Sequence, residues 1–217
     1  MSSHYKAVVA DFDGTIVDGL HAWFDMYDAF EKSNGVVLTP EQKEKVYVGS
    51  VQSVAHNYLC TFPQLSHTFT QETLTNYFVD NSREATLNAK PISGAIEFIK
   101  TLHSHNIPFA IASSSTKGTI NLFLEKHGIL NCTNFIIVGS EMKRCKPYAD
   151  IYIEASKRLG VDIKDTVVFE DSKLALQKAK EAGFMTVLIQ SVAKGDSQCC
   201  DIAVDSFDDE RVKSLFF

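Results

Sequence analysis

The chain has 217 residues, of which 45% are hydrophobic and 22% charged, and it carries a formal net charge of −6 at pH 7. Those values belong to a folded protein with a full core; they exclude disorder and leave room for one large domain or for one domain carrying an insert. The acidic balance disfavours a nucleic-acid or anionic-membrane surface, since either needs clustered Lys and Arg, but a small anionic substrate stays open.

Five cysteines, Cys60, Cys132, Cys145, Cys199 and Cys200, are odd in number and lack the paired spacings of a zinc site or a disulfide framework. They read as reduced thiols in a reducing compartment. No apolar run is long enough to span a bilayer, and Lys6 and Asp11 come too early for a secretory signal. The expectation is a soluble, cytoplasmic protein, monomeric or weakly dimeric, with no membrane or nucleic-acid partner.

The first element is Ala7-Val8-Val9-Ala10, a continuous apolar run that suits a parallel strand covered on both faces. It ends in Asp11-Phe12-Asp13-Gly14-Thr15. Residues 16–89 change character: they are rich in helix formers and aromatics and contain no comparable strand. Trp23, Phe24, Tyr27 and Phe30 recur at helical spacing and read as helix core rather than as a ligand cage. Pro40-Glu41 opens a helix, Gly49-Ser50 breaks the pattern, and Val51 to Leu59 and residues 70–86 give two more helices. The predicted organisation is an α/β core domain, residues 1–15 and 90–217, with a helical-bundle cap, residues 16–89, inserted after the first strand.

From Pro91 onward helices and strands alternate. Ile92, Ala95, Ile96, Ile99 and Leu102 mark a helix, and residues 109–112 a strand. A helix over 117–127 ending at Gly128, a strand over 135–138, and a helix over 150–159 ending at Gly160 follow. A strand over 166–169, a helix over 173–182 ending at Gly183 and a strand over 186–189 complete the series. The pattern predicts a Rossmann-like parallel sheet with helices on both faces.

In such sheets ligands bind beyond the carboxyl ends of the strands. Those ends carry Asp11 and Asp13, then Ser113-Ser114-Ser115, then a loop with Lys146-Pro147, then Glu170-Asp171. Crowded carboxylates repel until a cation relieves them, and an oxygen-only set favours Mg²⁺. Ser113, expected at a helix start, suits phosphate binding; Lys146 adds a point charge. These parts fit phosphoryl transfer, in which one carboxylate attacks phosphorus and a neighbour protonates the leaving oxygen. Gly14 permits a tight turn with close backbone approach, and Thr15 offers a hydroxyl. Asp150 reads as a helix N-cap. His103 and His105 face different directions, and His21 and His56 read as surface or packing residues.

These residues resemble the motifs of the haloacid dehalogenase-like hydrolase superfamily, in the helical-cap branch related to β-phosphoglucomutase-like proteins. The match runs through Asp11 to Thr15, the strand ending at Ser113, Lys146-Pro147 with Asp150, and Phe169-Glu170-Asp171-Ser172. The resemblance implies that Asp11 is a nucleophile forming an aspartyl-phosphate, that Asp13 is general acid and then base, and that Mg²⁺ is the cofactor. Asp11 and Asp171 would ligate it with side chains and Asp13 with its carbonyl, while Glu170 supports the ion directly or from behind. Ser113 and Lys146 would hold the phosphoryl group, with substrate contacts from Gly14, Thr15, Ser114, Gly49 and Ser50. The expected function is a Mg²⁺-dependent phosphatase acting on a small phosphate monoester of a sugar, polyol or nucleotide. A phosphosugar mutase is the alternative within the family, weakened because Gln52 stands where its cap carries an arginine. A non-catalytic phosphate-binding or receiver-like module is the alternative outside it, weakened by the retained acids and the large insert.

Overall fold

The computed structural model describes residues 5–189 and 197–217. Six parallel strands form one sheet: β1 (Ala7–Ala10), β2 (Phe109–Ser113), β3 (Phe135–Val138), β4 (Thr166–Glu170), β5 (Met185–Ile189) and β6 (Ile202–Val204). Their spatial order is β3-β2-β1-β4-β5-β6. β1 therefore lies inside the sheet, with Val9 beside Ala110 of β2 and Val168 of β4. All four β1 residues are buried, as the uninterrupted apolar run requires of a strand covered on both faces.

The period of two sorts the strand residues between two cores. Val8 and Ala10 join Phe98, Ile99 and Leu102 of α5 (Ala95–Ser104) and Ile120 and Phe123 of α6 (Lys117–Lys126) on one face. Val9 joins Ile151, Tyr152 and Ala155 of α7 (Asp150–Leu159) and Leu176 and Ala179 of α8 (Lys173–Glu181) on the other. Gly128, Gly160 and Gly183, predicted to follow helices, all adopt positive φ. At the end of α7 the left-handed Gly160 (φ 72°) sends its N–H back to Lys157 O, a stop that only glycine makes without strain.

The insert contains α1 (Leu20–Asn34), α2 (Pro40–Val46), α3 (Val51–Thr61) and α4 (Gln71–Asn88) around a third apolar cluster. Thr39 caps α2, with Pro40 at the first helical position, Thr39 Oγ1 accepting from Gln42 N and Gln42 Oε1 accepting from Thr39 N. The cluster is aromatic: Phe30 meets Phe78 at 5.0 Å and Tyr58 at 5.3 Å, both edge-to-face. Glu31 is buried inside it and accepts from Tyr47 OH and Tyr58 OH, each at 2.6 Å.

Three local expectations change. Asp150 is the first residue of α7 and not its cap; Ala149 holds the cap position, and Asp150 instead accepts from Arg144 Nε at 2.9 Å. Ser113 ends β2, whereas α6 begins at Lys117 behind the capping hydroxyl of Thr116, so Ser113 does not sit at a helix start. A sixth strand, Ile202–Val204, extends the sheet where the sequence pattern indicated none.

Candidate active site

Because the strands are parallel, β1, β2 and β4 end at one rim and bring their terminal polar residues together. Asp11 follows β1 and is 6% exposed; Glu170 ends β4 and is 2% exposed. Lys146 Nζ binds both, pairing with Asp11 Oδ1 and reaching Glu170 Oε2 at 2.8 Å. Glu170 Oε2 also accepts from Tyr152 OH at 2.8 Å, and Oε1 accepts from Ser172 N at 3.3 Å. Glu170 thus has both oxygens engaged within the protein.

Ligand oxygens of Asp11, Glu170 and Asp171 all lie within 4.8 Å of one another. Ionised together, the three carboxylates would outnumber the Lys146 ammonium by two negative charges. Burial and then Glu170 raise the Asp11 carboxyl above its usual range, and the same two causes push Asp171 up to about 8. Lys146 is raised as well: burial opposes its charge, but Asp11 and Glu170 outweigh it. Crowded oxygen donors that resist ionising without a counter-charge fit a hard divalent cation such as Mg²⁺, which would offset the charge they carry when ionised. Gly14 makes room beside this cluster. At φ 84°, a Cβ there would stand 2.6 Å from Asp171 Oδ2, so any side chain would displace the carboxylate.

Asp13 stands apart from the Lys146 network. Its Oδ2 accepts from Ser115 Oγ and its Oδ1 from Trp23 Nε1, the latter at 3.2 Å. Burial raises its carboxyl, while those two donors and then the Lys146 charge oppose the rise. An acid that makes no hydrogen bond to Lys146 and is half-buried at the cavity floor is suited to carry a proton, as its neighbour Asp11, fixed by an ammonium, is suited to attack.

Between these groups and the inserted helices lies a cavity of about 340 Å³. Asp11, Asp13, Ser113, Ser114, Lys146, Glu170 and Asp171 line its floor, and Gly49 lines the cap side. Ser113 itself is 1% exposed, and its Oγ accepts from Ser115 N at 3.0 Å. Three expected substrate contacts lie outside the lining: Gly14, which stands against Asp171, and Thr15 and Ser50. Thr15 is fully buried outside the cavity, and Ser50 is buried with its hydroxyl capping α3 through Ser53 N. His21 and His56 are exposed and outside the lining.

Sequence reasoning missed four participants. Ser115 and Tyr152 carry no signal of their own, because only the fold aims them at Asp13 and Glu170. Trp23 belongs to the aromatic helix stripe that reads as core, and Tyr47, the residue that caps the end of α2, carries no sequence signal; Tyr27 and Phe30 are core, but Trp23, Phe24, Tyr27 and Tyr47 also wall the cavity.

A family model described as haloacid dehalogenase-like hydrolase matches residues 8–189. The bifunctional riboflavin kinase/FMN phosphatase of Arabidopsis thaliana is 35% identical over 106 residues, covering 48% of this chain and 28% of that protein. The chain therefore spans less than a third of that relative's length. The phosphorylated carbohydrates phosphatase of Thermotoga maritima is 25% identical over 187 residues, covering 82% of each. A solved HAD hydrolase of family IA, variant 3, from Entamoeba histolytica is similar in fold and 26% identical, with a TM-score of 0.74, covering 97% of this chain and 98% of that one.

Proposed function

The chain belongs to the haloacid dehalogenase-like hydrolase family, and on that premise we propose that it is a Mg²⁺-dependent phosphatase releasing phosphate from a small monoester. What supports this most is the meeting of Asp11, Glu170 and Asp171 around Lys146 at the sheet rim, with a separate acid, Asp13, close by. The relatives' own names, FMN phosphatase and phosphorylated carbohydrates phosphatase, point the same way.

In this reading the Asp11 carboxylate attacks phosphorus while Asp13 protonates the departing oxygen. An aspartyl-phosphate results, and Asp13 then takes a proton from the water that hydrolyses it. Lys146 holds Asp11 in position and neutralises a phosphoryl oxygen; Ser113 and Ser114 border the phosphoryl position. Asp11, Asp171 and the Asp13 carbonyl would hold Mg²⁺, which when bound neutralises charge on the phosphoryl oxygens. Glu170 acts from behind, orienting Lys146, because its oxygens are already engaged. The cap excludes bulk water.

Inorganic phosphate release from a panel of monoesters, with Mg²⁺ or chelator, for the native chain and Asp11→Asn, tests the reading. Turnover that needs the metal and vanishes in the variant is the expected result; release indifferent to both would sink it.

A further inference from the structure

Resting on the phosphatase reading, we propose that the cap selects a monoester whose leaving group presents a neutral, flat aromatic ring, such as a nucleoside. The cavity is divided by chemistry. Its floor holds every charged lining residue: Asp11, Asp13, Lys146, Glu170 and Asp171. Its cap side offers rings and aliphatic groups, and among the described residues Lys146 is the one cation in the lining. That ammonium is already shared by Asp11 and Glu170. A second phosphate on the substrate would meet no free cation, so a bisphosphate fits poorly.

The rings themselves favour a flat partner. Tyr27 and Tyr47 stack at 4.8 Å and 15°, and Trp23 lies 6.1 Å from Tyr27 at 36°. Phe24 flanks the wall 6.0 Å from Tyr47, inclined at 56°, and is 47% exposed, so ring surface is left uncovered beside the stack. Trp23, Tyr27 and Tyr47 thus form a file of rings at shallow angles, a platform that another flat ring extends, with Phe24 flanking it. A quaternary ammonium would instead want steeply inclined rings around one point. Polyhydroxylated leaving groups find few partners on the cap side, where Tyr47 OH is committed to Glu31 and Trp23 Nε1 to Asp13, leaving Tyr27 OH among its ring donors. A volume of about 340 Å³ is at the small end of ligand pockets, enough for one mononucleotide-sized ester.

The test compares kcat/KM for a nucleoside 5′-monophosphate, glycerol phosphate, a hexose bisphosphate and choline phosphate in the Mg²⁺-loaded native chain. The nucleoside ester should lead each of the others by about tenfold or more, the scale of one ring stack. Phe24→Ala should raise its KM and shrink that lead, whereas Phe24→Tyr, which keeps a ring, should preserve it. Binding has its own readout: Trp23 is the chain's single tryptophan, and the ring-bearing ester should quench its fluorescence where glycerol phosphate does not. Phosphate release from glycerol phosphate, the hexose bisphosphate or choline phosphate at equal or higher kcat/KM would overturn the inference and leave the phosphatase reading standing. A lead that survives Phe24→Ala undiminished would overturn it too. No release from any ester would overturn both.

Discussion

Trp23 donates its indole N–H to Asp13 Oδ1 at 3.2 Å, so a side chain of the cap touches the carboxylate assigned to proton transfer. The bond joins α1 to the loop after β1 and makes the closed cap part of the acid's surroundings.

Trp23→Phe keeps the ring and removes that donor. Asp13 then depends on Ser115 alone for its orientation, and kcat should fall about tenfold on alkyl phosphates, the equivalent of one charge-assisted hydrogen bond of about 1.4 kcal/mol. Activated aryl esters, whose leaving groups need little protonation, should lose much less. Equal losses on both ester types would separate Trp23 from the acid's role.

Lys146→Met leaves Asp11 and Glu170 buried without their ammonium. Removing one partner from such a cluster costs about 3–5 kcal/mol, so thermal unfolding in chelator should drop by roughly 10 °C. Turnover should fall by about 10²–10³-fold, as when an oxyanion donor is lost. Differential scanning calorimetry and a phosphate-release assay check the two effects separately.

Asp171→Asn should trade stability against function. The Asp171 carboxyl is pushed up to about 8 in the metal-free chain, well above its ordinary 3.8. A carboxyl raised by folding binds more protons folded than unfolded, so its effect on stability worsens as pH climbs from about 4 toward about 8. In chelator at neutral pH the neutral asparagine should therefore raise the melting temperature. With Mg²⁺ the order should reverse, since the native chain gains about 2.7 kcal/mol at a hundredfold excess over Kd and the variant loses a ligand. Melting curves with and without metal decide the point, and a native chain that Mg²⁺ does not stabilise would contradict the assigned site.

Glu31→Leu should loosen the cap alone. It orphans Tyr47 OH and Tyr58 OH inside the aromatic cluster, at a cost of about 2–4 kcal/mol. Glu31→Gln, which retains an acceptor, should cost about 1 kcal/mol. Because Tyr47 also walls the cavity, KM should rise in Glu31→Leu with kcat little changed; chemical denaturation and steady-state kinetics measure both.

The sheet was legible because buried parallel strands are written as unbroken apolar runs and helices stop at glycine. β6 escaped: three residues at an edge, two of them half-exposed, make no such run. Asp11, Asp13, Lys146 and Asp171 were legible from strand ends, where topology and chemical type coincide. Ser115 and Tyr152 were not, since a hydroxyl gains its role only from what tertiary packing sets opposite it. The stripe containing Trp23 misled in the same way, because helical periodicity separates buried from exposed faces and cannot tell a core from a cavity wall.

The place of β1 inside the sheet has a consequence for hydrogen exchange. With β2 and β4 paired along both edges, the amides of Val8 to Asp11 are released only when the sheet itself opens, whereas the helices of the cap can open by themselves. Exchange of the cap's amides should therefore leave those of β1 protected, and in the proposed mechanism the position of the Asp11 carboxylate does not depend on how the cap sits.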